Sequence, residues 1–432
     1  MSAVREVAAD ETPEQAFTFT DFYAYSPDHK FLCIPTRELW PASSVNARLP
    51  KIEKMHPADW LDRNRAVDQM TWTPAESLII RNRLVSNGGW IRHPNATVFN
   101  QYRAPQAMHG DPAQALRWVE HVHRVYPNDA EHIIRWLAHR VQHPGQKINH
   151  AIVMGGAQGI GKDTLLEPVK HAVGPWNFNE VSPAQLLGRF NGFVKSVILR
   201  VNEARDLGDV DRFAFYDHTK VYTAAPPDVL RVDEKNIREY AVFNVTGLII
   251  TTNHKSDGLF LPADDRRHFV AWTDATKEDF PTAYWNGIWN WYNTGGIGHV
   301  VAYLAALDLS GFYPKAPPPK TPAFWDIVDS NRAPEDAQMA DAIEAAGNPD
   351  AITLRTIAER TLDDAFREWL TDRRSARLVP HRMEQAEYVP VRSDAKDGLW
   401  KIAGKRSVVY AKAELPLAFR IDAARKLTGS DR

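Results

Sequence analysis

Apolar residues recur at helical spacing between Asp129 and His143, at Ile133, Ile134, Trp136, Leu137 and Val141, and Pro144-Gly145 closes the run. From His150 to Asp274 the period changes. Short apolar runs at 151–154, 197–201, 243–252 and 268–272 alternate with helical patterns. Strands separated by helices predict a largely parallel sheet covered on both faces. Residues 278–307 read as helices rich in Trp and Tyr that close this domain. Upstream, 17–128 is dense in Trp, Pro and Asn, with short strand-like runs at 31–34 and 97–102, and predicts an irregular α+β domain after a flexible terminus at 1–16. Downstream, the closely spaced prolines of 313–322 remove backbone donors and fix φ, which predicts a stiff linker over 313–334. Helical patterns then follow at 337–346, 354–360, 363–373 and 375–386. Two β-like runs at 399–402 and 407–411, joined through Gly404, complete the layout of a winged helix over 335–432.

Composition narrows the class. A hydrophobic share of 44% with 25% charged residues is that of a globular chain and excludes disordered or fibrous types. The length of 432 residues predicts two or three domains. Cys33 is the sole cysteine, so a disulfide framework and a cysteine zinc site are excluded within one chain. The first twenty residues are polar and acidic and lack the basic and apolar regions of a secretion signal. No apolar run approaches the roughly 20 residues that span a bilayer. These features predict a cytoplasmic protein with no membrane partner. A formal charge of -2 excludes a surface coated in nucleic acid but leaves room for local basic loops.

The sharpest chemical signal lies between the run 151–154 and the helical pattern 165–173. There Gly156, Gly161 and Lys162 fill the frame G-x-x-x-x-G-K, with Gln158 and Gly159 inside it. Glycines let backbone N–H groups turn inward around phosphates, the helix N-terminus adds positive potential, and the lysine neutralises the β and γ phosphates. This predicts an ATP site with Mg²⁺. The position after the lysine is Asp163 where a hydroxyl is usual, and Thr164 follows it. Either can ligate the metal. The run 196–203 is a hydrophobic strand that ends in Asn202 and Glu203. A carboxylate there can hold Mg²⁺ or polarise the attacking water, and Asn202 is a further metal candidate. A third run, 245–253, ends in Thr251, Thr252 and Asn253, and the amide can hydrogen-bond a γ phosphate or its attacking water. Arg266 and Arg267 then run into the next strand, where an arginine can stabilise transition-state charge in a neighbour's site, or pair with Asp264 or Asp265 at the surface.

This order of P-loop, acidic strand, Thr-Thr-Asn strand and Arg-Arg pair resembles the superfamily 3 helicases, of the poxvirus and phage primase-helicase type. The resemblance covers about 129–274 well. It implies an α/β fold with an AAA+-like P-loop core and parallel sheet over 129–312, preceded by the α+β domain and followed by the winged helix. It implies a homo-hexamer that unwinds DNA during replication of a phage, plasmid or other mobile element in a bacterial cell. It also implies a hairpin that carries a lysine into the pore. Lys220 begins the candidate segment, and Lys235 matches the DNA-gripping lysine. No polymerising primase region is recognisable, so a separate primase or polymerase is the expected partner. In the C-terminal domain the basic residues Arg374, Arg377 and Arg382 are further candidates for DNA contact. Two other readings remain open, a nucleotide-locked replication initiator without processive unwinding and a P-loop phosphotransferase. DNA-stimulated ATP turnover separates all three.

Overall fold

The structure, a computed structural model, describes residues 17–202, 212–255, 259–330, 334–372, 375 and 378–429. Its centre is a parallel sheet built from the apolar runs. Strands β1 (Ala151–Gly155), β2 (Phe178–Val181), β3 (Ile198–Val201), β4 (Gly247–Thr252) and β5 (His268–Trp272) lie in the order β5-β1-β4-β3-β2. Every residue of β1, β3 and β4 is buried. Helices cover both faces, so neither face of these strands needs polar residues. β4 sits between β1 and β3, with Thr252 opposite Gly155 and Ile250 opposite Val201. The loops after these three strands therefore leave from one edge of the sheet.

The predicted single run 243–252 is two strands. Tyr240–Phe243 turns out of the sheet and pairs antiparallel with Val229–Val232, while β4 starts at Gly247. Two cations, one of them fully buried, stabilise the break. Lys147 Nζ donates to the Thr246 carbonyl at 2.6 Å, to Asn244 Oδ1 at 3.0 Å and to the Tyr222 carbonyl. The fully buried Arg140 donates to the carbonyls of Val245 at 2.6 Å, His143 at 2.7 Å and Gln146. Backbone groups that lose their ladder partners at the break find charged donors there. Arg140 projects from Ala130–Gln142, the helix that the 129–143 pattern predicts.

The chain divides into two units, at Val328 and Asp329. In the first, the region 17–128 has an α+β make-up, with a sheet in the order Leu39–Pro41, Lys30–Cys33, Phe22–Tyr25, Ala66–Val67 and a second of Gln69–Thr71, Gly89–Asn100 and Ile79–Ser86. It shares a core with the central sheet, since Tyr25, Met70, Trp72 and Phe99 belong to one buried cluster with Trp136, Ile152 and Ile249. The span expected as linker differs from expectation, for Pro322–Ser330 is a helix with Phe324 and Ile327 fully buried in that core. Proline at the first helical position loses no hydrogen bond, and Thr321 Oγ1 accepts from Phe324 N at 3.1 Å to cap it.

In the second unit the helices Pro334–Ala345, Leu354–Arg360, Asp364–Thr371 and Val379–Gln385 pack with an antiparallel sheet in the order Ala351–Thr353, Val409–Lys412, Tyr388–Val391. Ile357, Phe366 and Met383 centre its core. The hairpin Trp400–Ile402 and Lys405–Ser407 interrupts the connection between the last two strands. No described helix is long and apolar enough to cross a membrane.

Three histidines in the core of the first unit give its stability a pH signature. His132 stacks on Phe269 at 3.9 Å, and its Nε2 lies 3.0 Å from His150 Nε2, so one ring must donate and the other accept. Burial, reinforced by Arg135, holds His132 down at about 4, and burial with neighbouring cationic and imidazole groups holds His139 and His150 at about 3. The unfolded chain, with histidines near 6.5, takes up these protons first. Stability should therefore fall as pH drops from about 6.5 towards 4. Melting temperatures across that range test this, and a flat profile would show that the folded core tolerates the imidazolium ions.

Candidate functional site

The loop after β1 leads straight into the helix α1 (Lys162–Val173), and both sit at the C-terminal edge of the sheet. Gly156 at φ 138°, Gly159 at φ 83° and Gly161 at φ 97° occupy backbone regions open to glycine. Gly161 is also crowded, for a Cβ there would lie 2.6 Å from both His121 and Trp285. His121 is fully buried between Gly161 and Tyr284. The carbonyl of Gly161 can only accept, at 3.2 Å, so His121 Nε2 carries the proton and Nδ1 accepts from the Tyr284 hydroxyl at 2.7 Å. Burial keeps this ring at about 4 against the opposing pull of the Gly161 carbonyl, hence neutral at ordinary pH.

Lys162 is buried at the first position of α1. Its ammonium donates to the carbonyls of Gly156 at 2.6 Å and Ala157 at 3.2 Å and to Asn253 Oδ1 at 2.7 Å. Two residues that lie far apart in the chain thus meet at one point. Asn202 leaves β3 at the same edge, with its Oδ1 3.5 Å from Thr251 Oγ1. Glu203 lies outside the described residues. The surrounding cleft of about 270 Å³ is lined by Gln158, Gly159, Lys162, Asp163, Thr164 and Asn253, among others. Thr164 is buried, whereas Asp163 is exposed and its carboxylate meets Arg200 Nη1 at 2.5 Å. Arg200 projects from β3, is nearly buried, and also reaches Glu180 at 3.3 Å.

Three participants were missed in the sequence. Arg200 lies in an apolar run and reads there as an interruption. Trp285 and Trp289 stand one helical turn apart on Thr282–Trp291, so they share a face, and both line the cleft. Trp289 remains 41% exposed, which sets a large apolar plane beside a polar cradle. Only their i, i+4 spacing could have signalled this.

The arginine pair lies elsewhere. Arg266 is exposed and Arg267 half-buried at the start of β5, at the edge opposite the P-loop. The surface pairing with Asp265 does not form, because that buried carboxylate accepts from Arg267 N at 2.9 Å, His268 N at 3.0 Å and Tyr216 Oη at 2.9 Å. Burial would raise Asp265, but these bonds and the His268 ring outweigh it and hold it at about 2.

The other expected contacts separate. Lys220 is on the helix Arg212–Thr223, paired with Asp217 at 2.6 Å, and is not part of a hairpin. The resemblance put it at the start of the hairpin segment, whereas Tyr222 and Thr223 pack in the core from that helix. The strands Val229–Val232 and Tyr240–Phe243 do form a hairpin, and Lys235 is exposed in its tip. Arg374 and Arg377 lie outside the described residues. Arg382 turns to Asp336 at 3.1 Å and is largely covered, which leaves little of it for an outside partner.

A family of unknown function, DUF5906, matches residues 153–267. No curated protein matches the chain. Among solved structures, the apo C-terminal region of NrS-1 (305–718) superposes with a TM-score of 0.61 over 89% of this chain and 93% of that one, at 14% identity. An A-form structure of the same region gives 0.55 over 90% and 96%, at 15% identity. The chain shares the fold of that region. The JCV helicase covers 54% of this chain and 65% of its own at 12% identity, with a TM-score of 0.32.

What the edge offers is an anion cradle: turned-in glycine backbone, a helix N-terminus and a buried ammonium beside an amide. Among the described residues no group of three His, Cys, Asp or Glu is placed to hold a metal on its own. Two glycine replacements probe the cradle. Gly159→Ala meets only Lys277 Cβ at 3.6 Å and should cost about 1 kcal/mol from its positive φ. Gly161→Ala adds the clash with His121 and Trp285 and should cost roughly 3 kcal/mol or more. Equal losses in denaturant titrations would show that His121 and Trp285 do not brace the loop.

Proposed function

We propose that the chain is an ATP-driven DNA helicase of the superfamily 3 type, working as a ring of identical subunits. One observation carries the reading. The cradle and Asn253 sit at the C-terminal edge of a parallel sheet, whereas Arg266 and Arg267 enter β5 from the other edge. The five residues of β5 span on the order of 16 Å, so neither arginine is placed to serve its own cradle. We read both as serving another subunit's, and their distance from their own cradle supports that reading. A phosphotransferase acting alone has no need of that division. The likeness to the NrS-1 C-terminal region supports the fold on which it depends.

The residues fit Mg²⁺-ATP. The glycine backbone accommodates a polyphosphate, and Lys162 trades its carbonyl partners for phosphate oxygens. Asn253, released from Lys162, is free to orient a water. ATP supplies a scissile phosphoanhydride, and the divalent ion offsets its charge. We assign the metal contact to Thr164, because Asp163 is already held by Arg200. Glu203, one residue past Asn202, is the candidate base. Lys235 is the candidate strand contact in the pore, with six copies in a hexamer. The C-terminal unit is read as a winged helix, and a separate primase or polymerase in a bacterial host carrying a mobile element completes the setting.

Lys162→Ala should abolish both ATP hydrolysis and unwinding. Mixing Lys162→Ala with Arg267→Ala subunits should restore part of the activity, since an intact cradle then meets an intact arginine. Rings that form but recover nothing at any ratio would exclude a shared site. Stimulation of turnover by single-stranded DNA separates a helicase from a nucleotide-locked initiator and from a phosphotransferase.

Trp289 gives a second handle. A base stacked on its exposed face would be worth about 1–3 kcal/mol, so Trp289→Ala should raise KM for ATP roughly tenfold or more with kcat largely kept. ATP should also quench the protein's tryptophan fluorescence, less so in the variant. An unchanged KM would place the base elsewhere.

A further inference from the structure

A second cavity of about 410 Å³ lies at the tip of the hairpin, where it meets the region 17–128. Four cations line it, Lys30, Arg37, Lys195 and Lys235, with two carboxylates, Glu38 and Glu234. Glu234 is fully engaged: it pairs with Lys195 at 2.8 Å and accepts from the Tyr240 hydroxyl at 2.6 Å. That leaves Lys30, Arg37 and Lys235 against Glu38. Lys30 Nζ donates to the carbonyl of Asn236 at 2.6 Å, an uncharged partner that ties the hairpin tip to the N-terminal region without neutralising the ammonium.

Arg37 is the unusual member. It holds a left-handed backbone at φ 63°, where a branched or long side chain is strained and Asn or Gly would be at ease. Its Nε and Nη1 are cut off from solvent and have no acceptor. The guanidinium lies over the Phe99 ring, 5.6 Å from its centre. Burial and the nearby Arg103 both lower its pKa. Strain, lost solvation and cation repulsion are three costs, and among the described residues no hydrogen-bond acceptor for Nε or Nη1 offsets them. A surface arginine without a purpose would turn outward into water. An arginine held this way beside a net-positive cavity is suited to an anion that arrives from outside.

We propose that this cavity is a phosphate site for a single nucleic-acid strand, with Arg37 and Lys30 supplied by the N-terminal region and Lys235 by the hairpin tip. The inference rests on the helicase reading, because Lys235 joins the two. It adds that the strand is gripped between two layers of the subunit and not by the hairpin alone, and that displacement of the tip would break the Lys30–Asn236 contact and open or close the grip.

The test uses the full chain without nucleotide, a fluorescein-labelled oligothymidylate, and anisotropy over a series of NaCl concentrations. Arg37→Asn removes the charge with a residue that tolerates the left-handed backbone, and melting curves check that it folds. Affinity should fall about tenfold or more, the loss of a charge-assisted contact. The slope of log affinity against log salt should become shallower by about 0.7, the value for one phosphate on a single strand. Arg37→Lys should recover most of the slope. Wild-type affinity and slope in folded Arg37→Asn would overturn the site while leaving the helicase reading intact, provided that the wild type binds the strand. A wild-type chain that hydrolyses ATP yet binds no strand would overturn both. Inorganic phosphate serves as the free-anion probe: if it stabilises the wild type but not Arg37→Asn in melting curves, while strand binding is unaffected, the cavity takes a free anion and the strand site is overturned.

Discussion

The ammonium of Lys162 is the point on which the rest of the site depends. A buried cation cannot be left unpaired, and this one draws in the P-loop carbonyls of Gly156 and Ala157 with Asn253 and the Thr252 carbonyl from the end of β4. That convergence exists only because β4 is inserted between β1 and β3. With β4 at an outer position, Asn253 would be a strand spacing or more away, about 4.8 Å per strand. The insertion depends in turn on how the chain enters β4. Arg140 and Lys147 bind the carbonyls of Val245 and Thr246, so β4 starts at a fixed residue and its register delivers Thr252 opposite Gly155. Three cations that bind carbonyl and amide oxygens thus set the geometry of a site for an anion.

How much of this was legible in the sequence follows from what each signal encodes. The P-loop was legible because its glycines answer to a local constraint, the positive φ at Gly156, Gly159 and Gly161. The helix Ala130–Gln142 and the strands β1, β3 and β5 were legible because burial on one stripe or on both faces writes a period into the sequence. The break at 244–246 was not. Its residues are Asn, Val and Thr, of which the last two suit a strand, and its stability comes from Arg140 and Lys147, about a hundred residues away. Lys220, assigned to the hairpin segment by the resemblance, lies on the helix Arg212–Thr223, whose burial pattern that resemblance does not carry. The helix Pro322–Ser330 was hidden behind its own prolines, which mark a helix start as readily as a linker.

The N-terminal region shows where composition misleads. Its tryptophans and short strands read as a self-contained domain, yet several of its large side chains join the core of the central sheet. Thr71 Oγ1 donates to the Ala241 carbonyl at 2.8 Å, and Trp90 packs on Phe243 at 5.2 Å, so the hairpin Val229–Phe243 is backed by this region along its length. An antiparallel pair of four-residue strands is marginal alone. Packed this way, it can present an exposed tip from a firm base. Contacts between layers cannot be read from alternation within either one.

The P-loop and the arginine pair lie at opposite ends of the sheet, and that separation follows from parallel strands. In such a sheet every strand delivers its loop to the same edge, so the groups that follow β1, β3 and β4 gather in one cleft. Residues that precede a strand gather at the other edge. Arg267 precedes β5, and Asp265 fixes that turn by accepting from its backbone N–H and that of His268. The same carboxylate accepts from Tyr216, on the helix that follows the 203–211 segment. A buried carboxylate thus fixes the turn that sets Arg267 at the edge away from the cradle.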